Sequence, residues 1–282
     1  MPAMTDAAAH EVVAARLLRD VAEAWASDPE AALARLDAAL DRDDGAFGPS
    51  RARLEARRGQ LRTFLGRLAA AEAGLRTARE EAVDPYLDLQ LAALLGWRGD
   101  PAALHEAGGL VTALRSEARR LRDGPLAIAA ACLAGEAALR EGDADRAVRA
   151  YGEALGISEF TSSDAASVAP LAGLATAHAR GRAPGKAAPL ARRGLERARR
   201  VGDRAGAARS LAALAEADRR AELFLEAADE ADAAPHRPLA LACRVAAAEA
   251  GRTPQDDLAA RARTIGAHDL ASRAEAAAAT RR

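Results

Sequence analysis

The stretch with the spacing closest to a nucleotide-binding motif is "GRAPGKAAP", residues 181–189. A phosphate-binding loop needs a first glycine five residues before its Gly-Lys pair, and a Ser or Thr after the lysine to hold Mg²⁺. Here Arg180 stands in place of that glycine and Ala187 in place of the hydroxyl residue. We therefore expect no nucleotide cofactor at this stretch.

Histidine and cysteine are too scattered to predict a metal or redox site. Cys132 and Cys243 lie in apolar stretches without CxxC spacing, which favours two reduced core thiols. No HExxH motif, i, i+4 histidine pair or GxSxG nucleophile motif occurs. The sequence therefore predicts neither an enzyme nor a cofactor, unless carboxylates converge from separate segments. The histidines are His10, His105, His178, His236 and His268.

Arginine is concentrated in one region, which is the clearest local charge signal. Residues 179–209 carry ten basic side chains against Glu196 and Asp203. A run of basic residues like this one most often forms a solvent-exposed helix face. The alternatives are ion pairs to a neighbouring helix or a docking surface for an acidic partner. Nucleic-acid binding is not expected, because no aromatic side chains interleave with the arginines for base stacking. Four of the arginines recur at helical spacing and define the basic face: Arg192, Arg193, Arg197 and Arg200.

The overall composition excludes charge-driven function classes. The 282 residues carry 40 basic and 41 acidic side chains, so the net charge of −1 gives no global attraction to nucleic acid or a membrane surface. No stretch is long and apolar enough to span a membrane, and the N-terminus lacks the pattern of a signal peptide. We therefore expect a soluble cytoplasmic protein.

Helices must position whatever site the chain has. Hydrophobic residues make up 50% of the chain but aromatic residues only 3%, so Ala and Leu supply most of the core, which suits close helix packing. Apolar residues recur at intervals of three and four, and no stretch alternates with a period of two. Pro and Gly mark helix ends at regular intervals. The sequence therefore predicts about fourteen or fifteen helices and no strand.

Two segments of the chain resemble each other and indicate stacked helical hairpins. "GQLRTFLGRLAAAEAGLRTA" (59–78) aligns with "GEAALREGDADRAVRAYGEA" (135–154). Gly135 lies inside a predicted helix despite its low helix propensity, so a reason for glycine at this position is needed. Internal similarity of this kind is typical of repeated supersecondary units. The matched pairs are Gly59 with Gly135, Gly66 with Gly142, Ala71 with Ala147, Leu75 with Tyr151, and Ala78 with Ala154.

This pattern resembles the tetratricopeptide repeat (TPR) family of helical hairpins, in a divergent bacterial form. In this family a small residue at the matching position lets the two helices of a hairpin touch, so the resemblance implies that a facing helix approaches the backbone of Gly135. The resemblance implies an all-α, right-handed superhelical array of about seven antiparallel hairpins, a TPR-like α-solenoid, in a single domain over residues 1–282. The best-matched repeats cover about 52–85 and 128–160, and the hairpins of residues 203–282 are divergent. We expect the longest loop at residues 157–167, with Ser167 capping the next helix, because Pro170 belongs in a first helical turn.

In this family the first helix of each hairpin lines a concave groove that binds partners. Aromatic and Arg side chains are typical binding anchors. The alternative is that Phe64 and Trp97, near helix ends, cap the local core. Gln60 and Glu136 stand where peptide-binding members use Asn, so a clamp for a terminal carboxylate is not expected. The groove positions carried over to this chain are Arg53, Gln60, Phe64, Tyr86, Trp97, Glu136 and Arg140.

The resemblance favours a non-catalytic scaffold that binds a partner protein through the concave groove. The alternative is a regulatory sensor, in which the array encloses a small ligand or peptide and acts on a partner in trans. An open groove would favour the scaffold, and an enclosed cavity with convergent polar groups would favour the sensor. The sequence leaves the identity of the partner and the oligomeric state open.

Overall fold

Helices make up nearly all of the described chain. The computed structural model describes residues 6–25, 27–42, 45–161, 163–251 and 257–280, and no strand occurs among them, so the expected all-α fold is confirmed. The first eight helices are α1 (Asp6–Trp25), α2 (Pro29–Asp41), α3 (Arg51–Phe64), α4 (Leu68–Glu81), α5 (Pro85–Arg98), α6 (Pro101–Leu121), α7 (Gly124–Arg140) and α8 (Ala144–Phe160). The others are α9 (Asp164–Arg180), α10 (Ala187–Val201), α11 (Arg204–Asp218), α12 (Glu222–Ala233), α13 (Arg237–Glu249), α14 (Leu258–Ile265) and α15 (His268–Ala279). Short 3₁₀ turns precede α3, at Gly48–Ser50, and α10, at Pro184–Lys186.

Aspartates fix where several of the helices begin. The Asp84 side chain accepts from the backbone N–H of Tyr86 (2.8 Å) at the start of α5, and Asp123 accepts from Leu126 (2.9 Å) at the start of α7. Each cap satisfies a backbone donor that the first turn of a helix leaves unpaired. Both helices also have proline in the first turn, where its missing N–H is not needed.

Consecutive helices pack as hairpins, and the first helices of successive hairpins pack on one another. Short connections pair α1 with α2, and so on to α11 with α12, while α14 pairs with α15. The odd-numbered helices from α3 to α13 contact one another in order and form an inner layer, with the even-numbered helices from α4 to α12 outside it. Within the described residues this arrangement gives seven hairpins, with α13 between the last two.

The matched glycines let a large side chain of the second helix sit on the first helix. A Cβ atom on Gly135 would lie 2.5 Å from Cε2 of Tyr151, and a Cβ atom on Gly59 would lie 2.6 Å from Cδ2 of Leu75. The two segments aligned by sequence therefore pack in the same way. The facing helix α8 thus approaches the backbone of Gly135 as expected, and the group that makes the approach is the Tyr151 ring. Ala147, from the same pattern, is fully buried.

The C-terminal helices close onto the first hairpins, which the repeat pattern does not predict. Helices α13 and α15 share one hydrophobic core with α3 to α6, in which Leu91, Val245 and Leu270 are buried together. A Cβ atom on Gly66, in the turn after α3, would lie 2.9 Å from Cγ2 of Ile265 at the end of α14. Part of the inner surface of the first hairpins is therefore covered by the chain itself.

The loop expected at residues 157–167 is shorter than predicted, since three residues separate α8 from α9. Ser163 caps α9, and its hydroxyl accepts from the backbone N–H of Ala166 (3.2 Å). Ser167 lies inside the helix and donates to a backbone carbonyl of the preceding turn (2.7 Å). Pro170 also lies in the helix interior, where packing of α9 against α8, α10 and α11 offsets the lost backbone hydrogen bond.

Candidate functional site

Arg53 and Tyr86, two of the predicted groove residues, meet at one edge of the inner layer. Arg53 lies near the start of α3, and its guanidinium carbon is 5.7 Å from the centre of the Tyr86 ring near the start of α5. The Tyr86 hydroxyl donates to the carboxylate of Asp123, the cap of α7 (3.0 Å). Burial, reinforced by the hydrogen bond to Asp123, raises the pKa of Tyr86 to about 12, so the phenol stays protonated at neutral pH. Adjacent helix starts thus hold the ring in place.

This edge is open to solvent. The Arg53 side chain is 63% exposed, although its Nε lies 3.9 Å from the Asp84 carboxylate. Val83, in the connection before α5, is fully exposed. We call Arg53, Val83 and Tyr86 the Tyr86 edge. It combines a cation, an apolar side chain and an aromatic ring, which are the groups that protein interfaces use as anchors.

Phe64 and Trp97 lie at the C-terminal ends of α3 and α5, away from the Tyr86 edge and close to the start of α13. The His236 ring stacks on Phe64 with ring centres 4.3 Å apart, and meets Trp97 edge-on at 5.5 Å. His236 is fully buried, and its Nδ1 accepts from the backbone N–H of Leu239 (3.3 Å) as the cap of α13. Burial is the main cause that lowers the pKa of His236 well below its usual range, and the positive charge of Arg209 lowers it further, so the ring is neutral. Phe64 and Trp97 therefore have a partner within the chain.

The two polar groove residues are each engaged by an arginine. Gln60 Oε1 accepts from Nη1 of Arg57 (2.5 Å), and burial lowers the pKa of the Arg57 guanidinium. Glu136 Oε2 lies 3.9 Å from Nη2 of Arg140, one turn along α7. The structure thus distributes the predicted groove residues over the Tyr86 edge, the contact with His236 and the surroundings of Gln60 and Arg140, and does not gather them on one open surface.

Arg140 also faces a cleft between α6 on one side and α7 with the start of α8 on the other. The cleft has a volume of about 370 Å³ and a floor of apolar side chains from α5, α6 and α7. Four arginines line it, and we call this space the arginine cleft. They are Arg115 and Arg119 from α6, Arg140 from α7 and Arg146 from α8.

The basic face of α10 is paired with acidic side chains of neighbouring helices. These pairs connect α10 to α8, α9 and α11, so ion pairing between neighbours, one of the alternatives for this face, accounts for its arginines. Exposed ion pairs of this kind contribute little stability individually. The contacts are Arg192 with Asp218 (3.2 Å), Arg193 with Glu159 (2.7 Å), Arg197 with Asp164 (3.4 Å) and Arg200 with Asp164 (2.7 Å).

Sequence reasoning missed His236 and three of the cleft arginines. His236 comes directly before Arg237 and Pro238, and proline is typical of a first helical turn. The sequence therefore contains a signal that His236 caps a helix, but none for its contact with Phe64 and Trp97. Arg115 and Arg119 are one turn apart on α6, which places them on one helix face. Arg146 joins them only through the packing of hairpins, so no local spacing indicates it.

Few side chains of the described residues are suited to catalysis. No group of His, Cys, Asp or Glu among them could hold a metal ion. Both cysteines are free and buried, and burial raises the pKa of each thiol to about 12, so neither is a thiolate nucleophile at neutral pH. Within the described ranges no helix is long and apolar enough to cross a membrane. The arrangement offers binding groups: exposed arginines, the Tyr86 edge with its partly buried ring, and a cleft.

No family model matches the chain, and no similar protein was found among the curated proteins. Among solved structures, the chain is similar to a signal transduction ATPase with numerous domains (a STAND protein) with a tetratricopeptide repeat sensor, from Pyrococcus horikoshii. The identity is 16% and the TM-score 0.47, over 84% of this chain and 39% of that one. This chain therefore spans about two fifths of the length of the protein it matches.

Proposed function

We propose that this chain is a non-catalytic interaction module that binds a partner protein through its helical hairpins, with the Tyr86 edge as the main contact. The observation that carries the proposal is the exposure of Arg53 and Val83 beside the fixed Tyr86 ring. Large rigid side chains and arginines account for most of the binding energy at protein interfaces. Phe64 and Trp97 are less available, because α13 already packs against them.

The chemistry of the titratable groups supports a non-catalytic role. The buried thiols are protonated, and the His236 ring is neutral and shielded from solvent. A general base must reach its substrate, which a fully buried ring does not. Membership of the TPR family in a divergent bacterial form, and a cytoplasmic location, are part of the same proposal.

A regulatory sensor is the second candidate function. The observation that favours it is the arginine cleft, a cavity of about 370 Å³ with several convergent polar side chains. Cavities of about 300–1,000 Å³ are typical of small-molecule sites. A sensor of this kind would bind a ligand in the cleft and act on a separate partner.

Site-specific photo-crosslinking in the source cell tests the interaction proposal. The photoreactive residue p-benzoyl-phenylalanine replaces Arg53 or Val83, and in the control it replaces Arg192 on the basic face. We expect one protein to be crosslinked from both edge positions and not from the control position. Val83→Asp should abolish the adduct formed from the Arg53 position, because it adds a charge to the Tyr86 edge, and it leaves the core intact since Val83 is fully exposed.

A matched variant separates a local effect from a general one. Val201→Asp changes an exposed valine on α10, far along the chain from the Tyr86 edge, and should leave the adduct unchanged. Adducts formed only from the Arg192 position, or an adduct insensitive to Val83→Asp, would exclude the Tyr86 edge as the contact surface.

A further inference from the structure

The arginine cleft has the shape of a site for a small molecule. The apolar lining that forms its floor includes the small side chains of Ala92, Val111 and Ala137, and also Leu104 and Leu133. Gly108 forms part of one wall, and a Cβ atom on it would meet nothing within 4 Å. The volume of about 370 Å³ lies at the lower end of the range of small-ligand pockets, which is about 300–1,000 Å³.

Two of the four cleft arginines are already paired with carboxylates. Arg146 Nη1 lies 2.6 Å from Oε2 of Glu141, and Arg115 forms an ion pair with Glu153 on α8. The Nε–H of Arg115 is nevertheless buried without an acceptor among the described residues. These two pairs position their arginines in the cleft walls and neutralise most of their charge.

The other two arginines leave the cleft with positive charge. Arg119 Nε donates to the backbone carbonyl of Arg115 (3.1 Å), and no described carboxylate lies within ion-pair distance of its guanidinium. Arg140 has only Glu136 near it, with the closest N–O distance at 3.9 Å. A positively charged cleft with low-dielectric walls concentrates anions from solution.

The backbone beneath Arg140 is shaped to hold its side chain. A Cβ atom on Gly96 would lie 3.3 Å from both terminal nitrogens of Arg140, so the guanidinium rests directly on the α5 backbone. Glycine has a lower helix propensity than alanine, so Gly96 is unfavourable for α5 taken alone. A glycine at this position keeps the Arg140 fork lying flat over the floor of the cleft.

We propose that the arginine cleft binds a small organic anion that has a carboxylate or phosphate head group and a short apolar body. The planar guanidinium group of Arg140, which lies against Gly96, holds the head group through paired N–H···O hydrogen bonds, and Arg119 adds positive charge further along the cleft. The apolar body covers the floor at Ala92, Val111 and Ala137. No aromatic side chain lines the cleft, which disfavours a nucleobase as the ligand body. This site does not depend on the contact with a partner protein at the Tyr86 edge; it rests on the sensor candidate above and gives the chemical class of its ligand.

Isothermal titration calorimetry on the purified full chain tests the site with four probes. Hexanoate and hexyl phosphate combine a head group with an apolar body, inorganic phosphate has the head group alone, and hexanol has the body alone. We expect hexanoate, hexyl phosphate or both to bind at millimolar concentrations or below, and more tightly than inorganic phosphate or hexanol. The stronger of the two identifies the head group. Binding should weaken as salt is raised, because the arginines are partly exposed.

Variants locate the binding within the molecule. Arg119→Gln with Arg140→Gln should weaken binding roughly tenfold or more, because the charge-assisted hydrogen bonds are lost. The matched control, Arg192→Gln with Arg193→Gln, removes the same number of charges outside the cleft and should leave the affinity unchanged. Gly108→Leu adds a bulky side chain to the cleft wall while all four arginines are retained, and it should also abolish binding, which gives a second test if the double arginine variant folds poorly.

Two results would overturn the proposal. One is the absence of heat with both hexanoate and hexyl phosphate; the other is binding that survives Gly108→Leu or falls equally in the control variant. Val83→Asp on the Tyr86 edge should leave probe binding intact, so a failure of the partner-binding proposal and a failure of this one are distinguishable.

Discussion

Replacing Gly135 with alanine should destabilise the protein, although alanine is the better helix former. The Tyr151 ring lies between two helices and contacts a glycine on each of them. A Cβ atom on Gly135 in α7 would lie 2.5 Å from Cε2 of the ring, and a Cβ atom on Gly173 in α9 would lie 2.1 Å from Cε1. The ring therefore has no room to move away from a new methyl group on either side.

The expected magnitude follows from two opposing contributions. In a helix interior, alanine is favoured over glycine by about 1 kcal/mol. Forcing an extra methyl group into a well-packed core typically costs about 1–3 kcal/mol. Because Tyr151 is rigid and 3% exposed, the steric cost should lie in the upper part of that range. We expect Gly135→Ala to lower the free energy of unfolding by about 1–2 kcal/mol.

The same hairpin contains a matched control. Gly152 lies on the exposed side of α8, and a Cβ atom on it would meet nothing within 4 Å. Gly152→Ala should therefore raise the free energy of unfolding by up to about 1 kcal/mol, the full difference in helix propensity. Urea unfolding followed by circular dichroism at 222 nm measures both variants, and the two changes should have opposite signs.

A double-mutant cycle assigns the effect to the ring. The atoms of Tyr151 closest to the new methyl group are Cε2, Cδ2 and Cζ, and a valine at this position has none of them. In a Tyr151→Val background, Gly135→Ala should become stabilising, as Gly152→Ala is in the parent. If Gly135→Ala stabilised the parent protein, or still destabilised the Tyr151→Val protein, the reasoning from the Tyr151 ring would be refuted.

Two further predictions concern titration and surface charge. The pKa of His236 is lowered in the folded state, so below its usual range near 6.5 the unfolded chain takes up a proton that the folded chain does not. The free energy of unfolding should therefore fall as the pH drops from 7.5 to 5.0, by up to about 1.4 kcal/mol per pH unit. His236→Asn keeps a capping acceptor and should flatten this dependence, which urea unfolding at a series of pH values measures. Equal slopes for the two proteins would contradict the prediction. Arg193→Glu, which places a carboxylate beside Glu159, should destabilise by less than about 1 kcal/mol, and thermal unfolding should show the difference shrinking in 1 M NaCl, where the Debye length is about 3 Å; a difference that persists at high salt would indicate a packing effect instead.

The hairpins and their internal packing could be predicted from the sequence because the signals for them are local. Gly59 and Leu75 lie within one hairpin, as do Gly135 and Tyr151, and each pair is in contact. Helix starts are similarly local, since an aspartate cap and the proline that follows it are adjacent in sequence. The same local rule misplaced the start of α9, because it read Pro170 as a first-turn residue while tertiary packing keeps it in the helix interior.

The closure by the C-terminal helices could not be predicted, because its contacts join distant parts of the chain. His236 meets Phe64 and Trp97, and Ile265 meets Gly66, across more than a hundred residues and without any repeated motif. In a repeat array each unit specifies mainly its contacts with its neighbours. A resemblance to such an array therefore predicts a groove but not what covers it. For this reason the anchors expected together on one surface lie in several places.

The ion pairs between hairpins explain how so many arginines are used in a chain with few aromatic residues. Arg115 pairs with Glu153, Arg180 with Glu216, and Arg193 with Glu159, at separations of 38, 36 and 34 residues, about one hairpin in each case. Exposed pairs add little stability individually, but displacing one hairpin against the next would separate all of them at once. They therefore help to fix the order in which an alanine-rich core, with few distinctive shapes, is stacked.

Arg119 and Arg140 depart from this pattern. One has no described carboxylate within ion-pair distance, and the other has its nearest at 3.9 Å. Both arginines line the arginine cleft between α6 on one side and α7 with the start of α8 on the other. Their charge therefore faces that space and does not join one hairpin to the next. Arg115, Arg180 and Arg193 each have a carboxylate partner from the chain itself. In the arginine cleft, an anion from solution would take the place of that partner for Arg119 and Arg140.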